Sequence, residues 1–284
     1  SQRKIYDYIE KQYISDIAGG RDQRLKSELV KARMIRLMQA TTNPALLRQP
    51  ISDFAAIEGV DFSSIKDDSD MLREILKYSE NEIPAKYEKA RDIIKDIIEN
   101  GGKVIVWACY IKNIEMLSKY LESQGIETRT LYGATPIAGD DLTEEDEEYS
   151  LTREAIVKEF HNPDSPFKVI IANPFAVSES ISLHKACHNA IYLERSFNAA
   201  HFLQSKDRIH RYGLKPGVET HYYYLVSKDS VDNTIHTRLQ EKEQRLMEII
   251  ESMPIPLFDS YLGDDGDEDI KAVLRDYARR TKTV

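Results

Sequence analysis

Gln204, Arg208 and Arg211 are the residues whose types and spacing most directly suggest chemistry. They lie in the stretch Leu203–Gly213, LQSKDRIHRYG. At ~3.6 residues per helical turn, steps of four and then three put an amide and two guanidiniums on one stripe. Arginine forks match phosphate oxygens bidentately and stay charged, so a pair aimed one way suits the charge that develops during phosphoryl transfer. The ordinary alternative is a solvated helix face carrying surface charge.

A stripe of this kind needs a scaffold, and the middle of the chain supplies one in its hydrophobic rhythm. Val104–Ala108 is a continuous apolar run of strand length, and strand-like runs follow at 126–131, 168–172, 190–193 and 220–226. Helical stretches separate most of them; Ile114, Leu117, Tyr120 and Leu121 give one such helix its buried face, which Gly125 closes. Strands alternating with helices imply a mostly parallel sheet covered on both faces, because parallel neighbours need crossover connections. The fold class expected is therefore α/β.

Residues before about 100 read as helical. Ile5, Tyr8, Ile9 and Tyr13 stand at helical spacing; Leu25, Leu29, Met34, Leu37 and Met38 continue the pattern after a Gly-Gly break until Asn43-Pro44 stops it. A solvated loop is expected over 61–70, a short helix near 71–78, and a further helix that begins at Pro84, buries Ile93, Ile94, Ile97 and Ile98, and ends at Asn100-Gly101-Gly102. The last stretch, from Met253, has two prolines, an acidic linker and a short amphipathic helix with Ile270, Val273, Leu274 and Tyr277. That helix is expected either to dock or to form a disordered tail. The boundaries that follow are 1–84, 85–252 and 253–284.

Residues 204–213, Gln-Ser-Lys-Asp-Arg-Ile-His-Arg-Tyr-Gly, resemble motif VI of the SWI/SNF family of superfamily-two helicase-like ATPases, Gln-x-x-Asp-Arg-x-His-Arg-x-Gly-Gln, with Leu214 as the one departure. Other segments fall in the family's order. Val104–Tyr110 is similar to motif IV, with Ala108 for the usual Ser; Leu131–Thr135 is similar to the Asp-Gly-Ser-Thr turn, followed by Arg153, Ile156 and Phe160 of its helix. An acidic insertion over 136–149 separates the two parts and has no counterpart in the family pattern. Val177–Leu183 stands where the family has the glycine-rich motif V, so Ser178 and Ser180 replace glycines that would lie against phosphate. Glu194, Phe197 and Asn198 take the place of Asp, Trp and Asn, and 227–233 is similar to the start of the family's closing helix.

The resemblance implies a RecA-like lobe, preceded by a helical segment and followed by a short C-terminal helix. It implies ATP with Mg as the nucleotide, Gln204, Arg208 and Arg211 as ATP-facing residues with the two arginines catalytic, and double-stranded DNA as the track. Gly133, Thr135, Ser178, Ser180 and Phe197 would face nucleic acid. The family's phosphate-binding loop, Gly-x-x-x-x-Gly-Lys-Ser/Thr, is missing: Gly101-Gly102-Lys103 runs into Val104, and Ile97 stands where the first glycine belongs. An N-terminal lobe outside this chain is therefore expected to hold ATP and most of the Mg, and this chain alone is expected to be inactive. A DNA-binding or protein-docking module derived from such a lobe, or a strand-separating helicase, would be the alternatives.

Composition bounds these readings. A net charge of -9 is awkward for a partner of phosphate, yet much of it lies in Asp140, Asp141 and Glu144–Glu148 and in the block 264–269, while 21–36 and 206–215 are locally basic. No apolar run approaches ~18 residues, so no membrane span is expected. Two cysteines, Cys109 and Cys187, make no disulfide framework and fit a reducing compartment, cytoplasm or nucleoid, or the nucleus in a eukaryote. His184, Cys187 and His188 lack a second ligand pair, so no metal site is expected. The opening Ser without Met suggests a piece of a longer protein.

Overall fold

The structure is a computed structural model that describes residues 1–19, 23–48, 69–137, 152–177, 181–211, 214, 217–252 and 266–281. These residues divide into two compact units, one of residues 87–193 and 201–225, the other of 1–86, 194–200 and 226–284.

The first unit is built on five parallel strands: β1 (Val104–Trp107), β2 (Thr128–Leu131), β3 (Val169–Ala172), β4 (Asn189–Tyr192) and β5 (His221–Tyr224), in the order β2-β3-β1-β4-β5. All five coincide with the apolar runs seen in the sequence. The central strands β1 and β3 are buried throughout, which is why they read as unbroken Val and Ile rather than as an alternation. Ile105, Val106, Ile170 and Ile171 are all fully buried, and each such side chain contributes about 1.5–3 kcal/mol of burial. The edges are more polar: β2 leaves Arg129 and Thr130 half-buried, and β5 is HYYY.

Helices cover the sheet. α4 (Ala85–Glu99), whose body lies in this unit, buries Tyr87, Ala90, Ile94 and Ile97, and α5 (Ile111–Ser123) buries Ile114, Leu117 and Leu121 in the same core. Both end in a left-handed glycine cap. Gly101 has φ 77 and its N–H reaches the Ile98 carbonyl while Gly102 N–H reaches Ile97; Gly125, also at φ 77, and Ile126 repeat the pattern on Glu122 and Leu121. Gly102 is fixed by packing as well, since a Cβ there would lie 2.8 Å from the Ile97 Cγ2. α6 (Arg153–His161) is capped by the Thr152 hydroxyl, which accepts from Ala155 N–H, and turns Ile156 and Phe160 inward. This unit also holds α7 (Pro174–Val177) and the body of α8 (Ala199–Lys206).

The second unit is helical: α1 (Gln2–Gly19), α2 (Gln23–Thr42), a 3-10 turn at Pro44–Arg48, α3 (Ser69–Asn81), α9 (Val231–Ser252) and α10 (Gly266–Thr281). α9 groups with the N-terminal helices, and the sheet unit closes at Leu225. Buried polar bonds explain it. Asp232 at the start of α9 takes Lys86 Nζ at 2.7 Å and the Thr41 hydroxyl at 3.1 Å, and Val231 N–H donates to the Tyr6 hydroxyl at 2.8 Å. α10 docks rather than trailing: Arg280 Nη2 lies 2.7 Å from Glu10 of α1, and Asp269 meets Arg238 and Lys242 of α9. Residues 266–269 of the acidic block form the first turn of α10. Cys109 and Cys187 are buried and not joined in a disulfide, and burial pushes the Cys187 thiol up to about 12. Among the described residues no helix is long and apolar enough to cross a membrane.

Candidate nucleic-acid and nucleotide interface

The carboxyl ends of a parallel sheet are where its connections can reach a ligand, beside the point where strand order reverses. The connection leaving β1 runs to β2 and the one leaving β4 runs to β5, so the reversal falls between those neighbours. Gly133 and Thr135 follow the end of β2, and α7 follows the end of β3. Asn173 builds the second connection: its Nδ2 donates to the Cys109 carbonyl at 2.9 Å, and its Oδ1 accepts from Phe175 N–H at 2.8 Å to start α7.

Arg153 brings these two connections together. Its Nη2 donates to the carbonyls of Tyr132 at 3.1 Å and Gly133 at 3.4 Å, its Nε to Thr135 at 3.3 Å, and its Nη1 to Ala176 of α7 at 3.2 Å. One guanidinium therefore staples the 132–135 turn to the helix that leads into Ser178 and Ser180. The Arg153 N–H also donates to the Pro136 carbonyl at 2.9 Å, so the turn and α6 are joined across the insertion. Ser178, Ser180 and positions 138–149 of the insertion lie outside the described residues.

Gly133 and Thr135 differ in what they offer. Among the described residues, a Cβ on Gly133 would meet nothing within 4 Å. The Thr135 hydroxyl is already engaged, accepting from Tyr132 N–H at 3.0 Å and donating to the Thr130 carbonyl at 3.4 Å, and its own N–H donates to Tyr132. It shapes the turn rather than offering free donors.

The arginine segment departs from the stripe its spacing suggests. α8 ends at Lys206; Asp207 N–H still reaches four residues back to Leu203, but Arg208 N–H reaches only three back, to Ser205 at 3.4 Å, and the chain passes into turns. Gln204 is exposed on α8, Arg208 is only 7% exposed, and Arg211 is exposed beyond the helix, so the three do not share a helical face. Tertiary bonds hold the segment after the helix: the Arg208 carbonyl accepts from Leu183 N–H at 2.9 Å, and Arg208 Nη1 donates to the Ile181 carbonyl at 3.2 Å. Arg208 is thereby tied twice to the residues just after Ser178 and Ser180. Phe175 of α7 also meets the ring of His201 of α8 edge-on at 4.7 Å.

His161 and His184, near this segment, are both engaged by Ser182. His161 Nε2 is 2.9 Å from the Ser182 carbonyl, and the Ser182 hydroxyl is 2.9 Å from His184 Nδ1. Burial, with Lys185, Arg211, His161 and His188 behind it, holds His184 below the usual imidazole value. Among the described residues no cluster of three or more His, Cys, Asp or Glu could hold a metal ion. Ser205 is fully engaged with the Tyr192 hydroxyl at 2.8 Å and the Phe202 carbonyl at 2.6 Å, which makes it a structural residue.

Phe197, half-buried in the helical unit, is held through its carbonyl by Lys242 Nζ at 3.0 Å. Sequence spacing gave no hint of Lys242, because a residue 45 positions away on a polar helix carries no local signature.

Residues 85–213 match the family of helicase conserved C-terminal domains. Among curated proteins, the chromatin remodeling factor mit1 of Schizosaccharomyces pombe is 23% identical over 213 residues, 75% of this chain and 13% of its own length. The helicase SWR1 of Debaryomyces hansenii is 27% identical over 159 residues, 56% of this chain and 9% of its own. The chain thus spans a small part of these relatives. Solved structures share the fold: the C-terminal part of the Fun30 ATPase domain covers 99% of this chain with a TM-score of 0.60 at 18% identity, this chain matching 94% of it. The Sulfolobus solfataricus SWI2/SNF2 ATPase core in complex with dsDNA covers 96% with a TM-score of 0.55 at 18% identity, this chain matching 47% of it. Residues 85–213 thus match the helicase conserved C-terminal domain, and the chain is similar in sequence to SWI/SNF-family helicases and shares the fold of the C-terminal part of such an ATPase domain.

Proposed function

We propose that the chain is the second motor lobe of an ATP-dependent double-stranded-DNA translocase of SWI/SNF type. The partner lobe, N-terminal in the full-length protein, would hold ATP and most of the Mg, because this chain has neither a phosphate-binding loop nor, among its described residues, a cluster of three or more metal-binding side chains. In hydrolysis a water oxygen bonds to the γ-phosphorus as the bond to the ADP oxygen breaks, and charge spreads over the γ-oxygens. The exposed Arg211 and, after cleft closure, Arg208 would neutralise that charge, and the exposed Gln204 would place the nucleotide or the facing lobe.

Nucleic acid would meet the backbone at Gly133, the turn that Thr135 shapes, the loop of Ser178 and Ser180, and Phe197. The observation that carries the reading is the double link from Arg208 to Ile181 and Leu183. It gives a physical path by which a change at an ATP-facing arginine would move the loop assigned to the DNA backbone, as translocation requires. The Sulfolobus structure named as a complex with dsDNA favours duplex over single strands.

A second reading, a lobe retained as a DNA-binding or docking module, is favoured by one observation: the Arg208 guanidinium is spent inside the fold on Ile181. ATP turnover by the full-length natural protein decides between them, measured with no nucleic acid, with duplex DNA, with single-stranded DNA and with RNA. Stimulation by duplex DNA supports the translocase; equal stimulation by single strands points to a strand-separating helicase; no turnover under any condition leaves the docking module.

A further inference from the structure

The segment Glu194–Ala200 leaves β4 and enters α8, and up to Asn198 it has neither strand nor helix ladder to hold it. Its place is set by side chains from α9. His236 Nδ1 accepts from Arg195 Nη1 at 2.9 Å, and Lys242 Nζ donates to the Phe197 carbonyl at 3.0 Å. Lys242 is in turn held by α10: its Nζ is 3.0 Å from Asp269 Oδ2, while Asp269 Oδ1 takes Arg238 Nε at 2.9 Å.

We propose that Asp269 and Lys242 are a positioning relay through which the C-terminal helix fixes the Phe197 segment for contact with nucleic acid. The inference rests on the reading of Phe197 as such a contact. Lysine is a point charge on a flexible four-carbon stem, so without a second anchor its ammonium samples many rotamers and swings toward water. Asp269 supplies that anchor. It is 5% exposed, in surroundings where a charge-assisted hydrogen bond is stronger than in water, and its other oxygen is pinned by Arg238. With one ammonium donor committed to Asp269, the stem is held where another meets the Phe197 carbonyl. α10 then acts on the segment without touching nucleic acid itself.

The test uses the 284-residue chain and two readouts on the same variants. Hydrogen exchange over residues 196–200 reports position, and anisotropy of a fluorescein-labelled DNA duplex reports contact. Lys242→Met and Asp269→Asn are expected to speed exchange over 196–200 about tenfold, the loss of one charge-assisted bond, with the amides of β1 and β3 unchanged. Both, and Phe197→Ala, are expected to weaken duplex binding about 3- to 10-fold, and Lys242→Arg to restore both readouts. Unchanged exchange in Lys242→Met overturns the relay, as does parental duplex affinity in Lys242→Met when Phe197→Ala has lost affinity. Faster exchange with duplex affinity intact in Phe197→Ala removes the role assigned to Phe197, and with it the purpose of the relay.

Discussion

The Arg208 guanidinium donates to the Ile181 carbonyl at 3.2 Å from a position 7% exposed, although its residue type and motif would place it toward a nucleotide. Together with the backbone bond from Leu183 N–H to the Arg208 carbonyl, it makes the arginine segment and the loop before β4 one mechanical piece.

That link has a measurable strength. A lysine at 208 lacks the fork that reaches Ile181, so Arg208→Lys is expected to destabilise the sheet unit by about 1–3 kcal/mol, the range for a buried hydrogen bond to a charged group. Urea unfolding followed by tryptophan emission reads it cleanly, because Trp107, the one tryptophan of the chain, is fully buried in β1.

Arg153 is expected to matter more for grip than for folding. Arg153→Met removes the donors that join Tyr132, Gly133 and Thr135 to Ala176, while the strands beneath keep their ladders. Duplex affinity of the chain should fall about tenfold with the urea midpoint lowered only slightly; a parental affinity contradicts the assignment of the 132–135 turn to the DNA backbone.

The Lys86–Asp232 pair holds the start of α9 to the start of α4, with both side chains under 10% exposed. Breaking a buried pair leaves an uncompensated charge, so Lys86→Met alone should cost about 3–5 kcal/mol, and adding Asp232→Leu should recover part of that loss. Additive losses in urea unfolding would show that the two residues do not act as a pair.

Acid should destabilise the fold. Burial lowers His201, burial and then Arg195 lower His236, and burial with its cationic neighbours lowers His184. Each therefore binds its proton more readily in the unfolded chain, so stability is fully present well above the unfolded value of about 6.5 and is lost as pH falls below it. The melting temperature is expected to drop between pH 7.5 and 5.5, with a shallower drop in His201→Phe. A flat profile over that range contradicts the half-buried placement of these rings.

Much of this was legible in the sequence because the physics involved is local. The strands of a covered parallel sheet must be continuous apolar runs, so Val104–Trp107 and Val169–Ala172 announced themselves, and Gly101 and Gly125 marked helix ends because only glycine takes φ 77 cheaply there. What escaped was set by bonds between distant residues. The Arg208 carbonyl is met by Leu183 N–H, α9 meets the N-terminal helices through Thr41 and Tyr6, and Asp269 turned from a solvated acid into a buried anchor through Arg238 and Lys242. None of these pairs has a spacing that a helix or strand period could reveal.

The most direct measurement is duplex-stimulated ATP turnover by the full-length natural protein carrying Arg211→Ala. Arg211 is exposed, so its loss should leave the fold intact. Turnover reduced by ~10³ to 10⁵ with duplex binding retained is the expected result for an arginine that meets the γ-phosphate. Turnover at the parental rate would contradict the second-motor-lobe assignment.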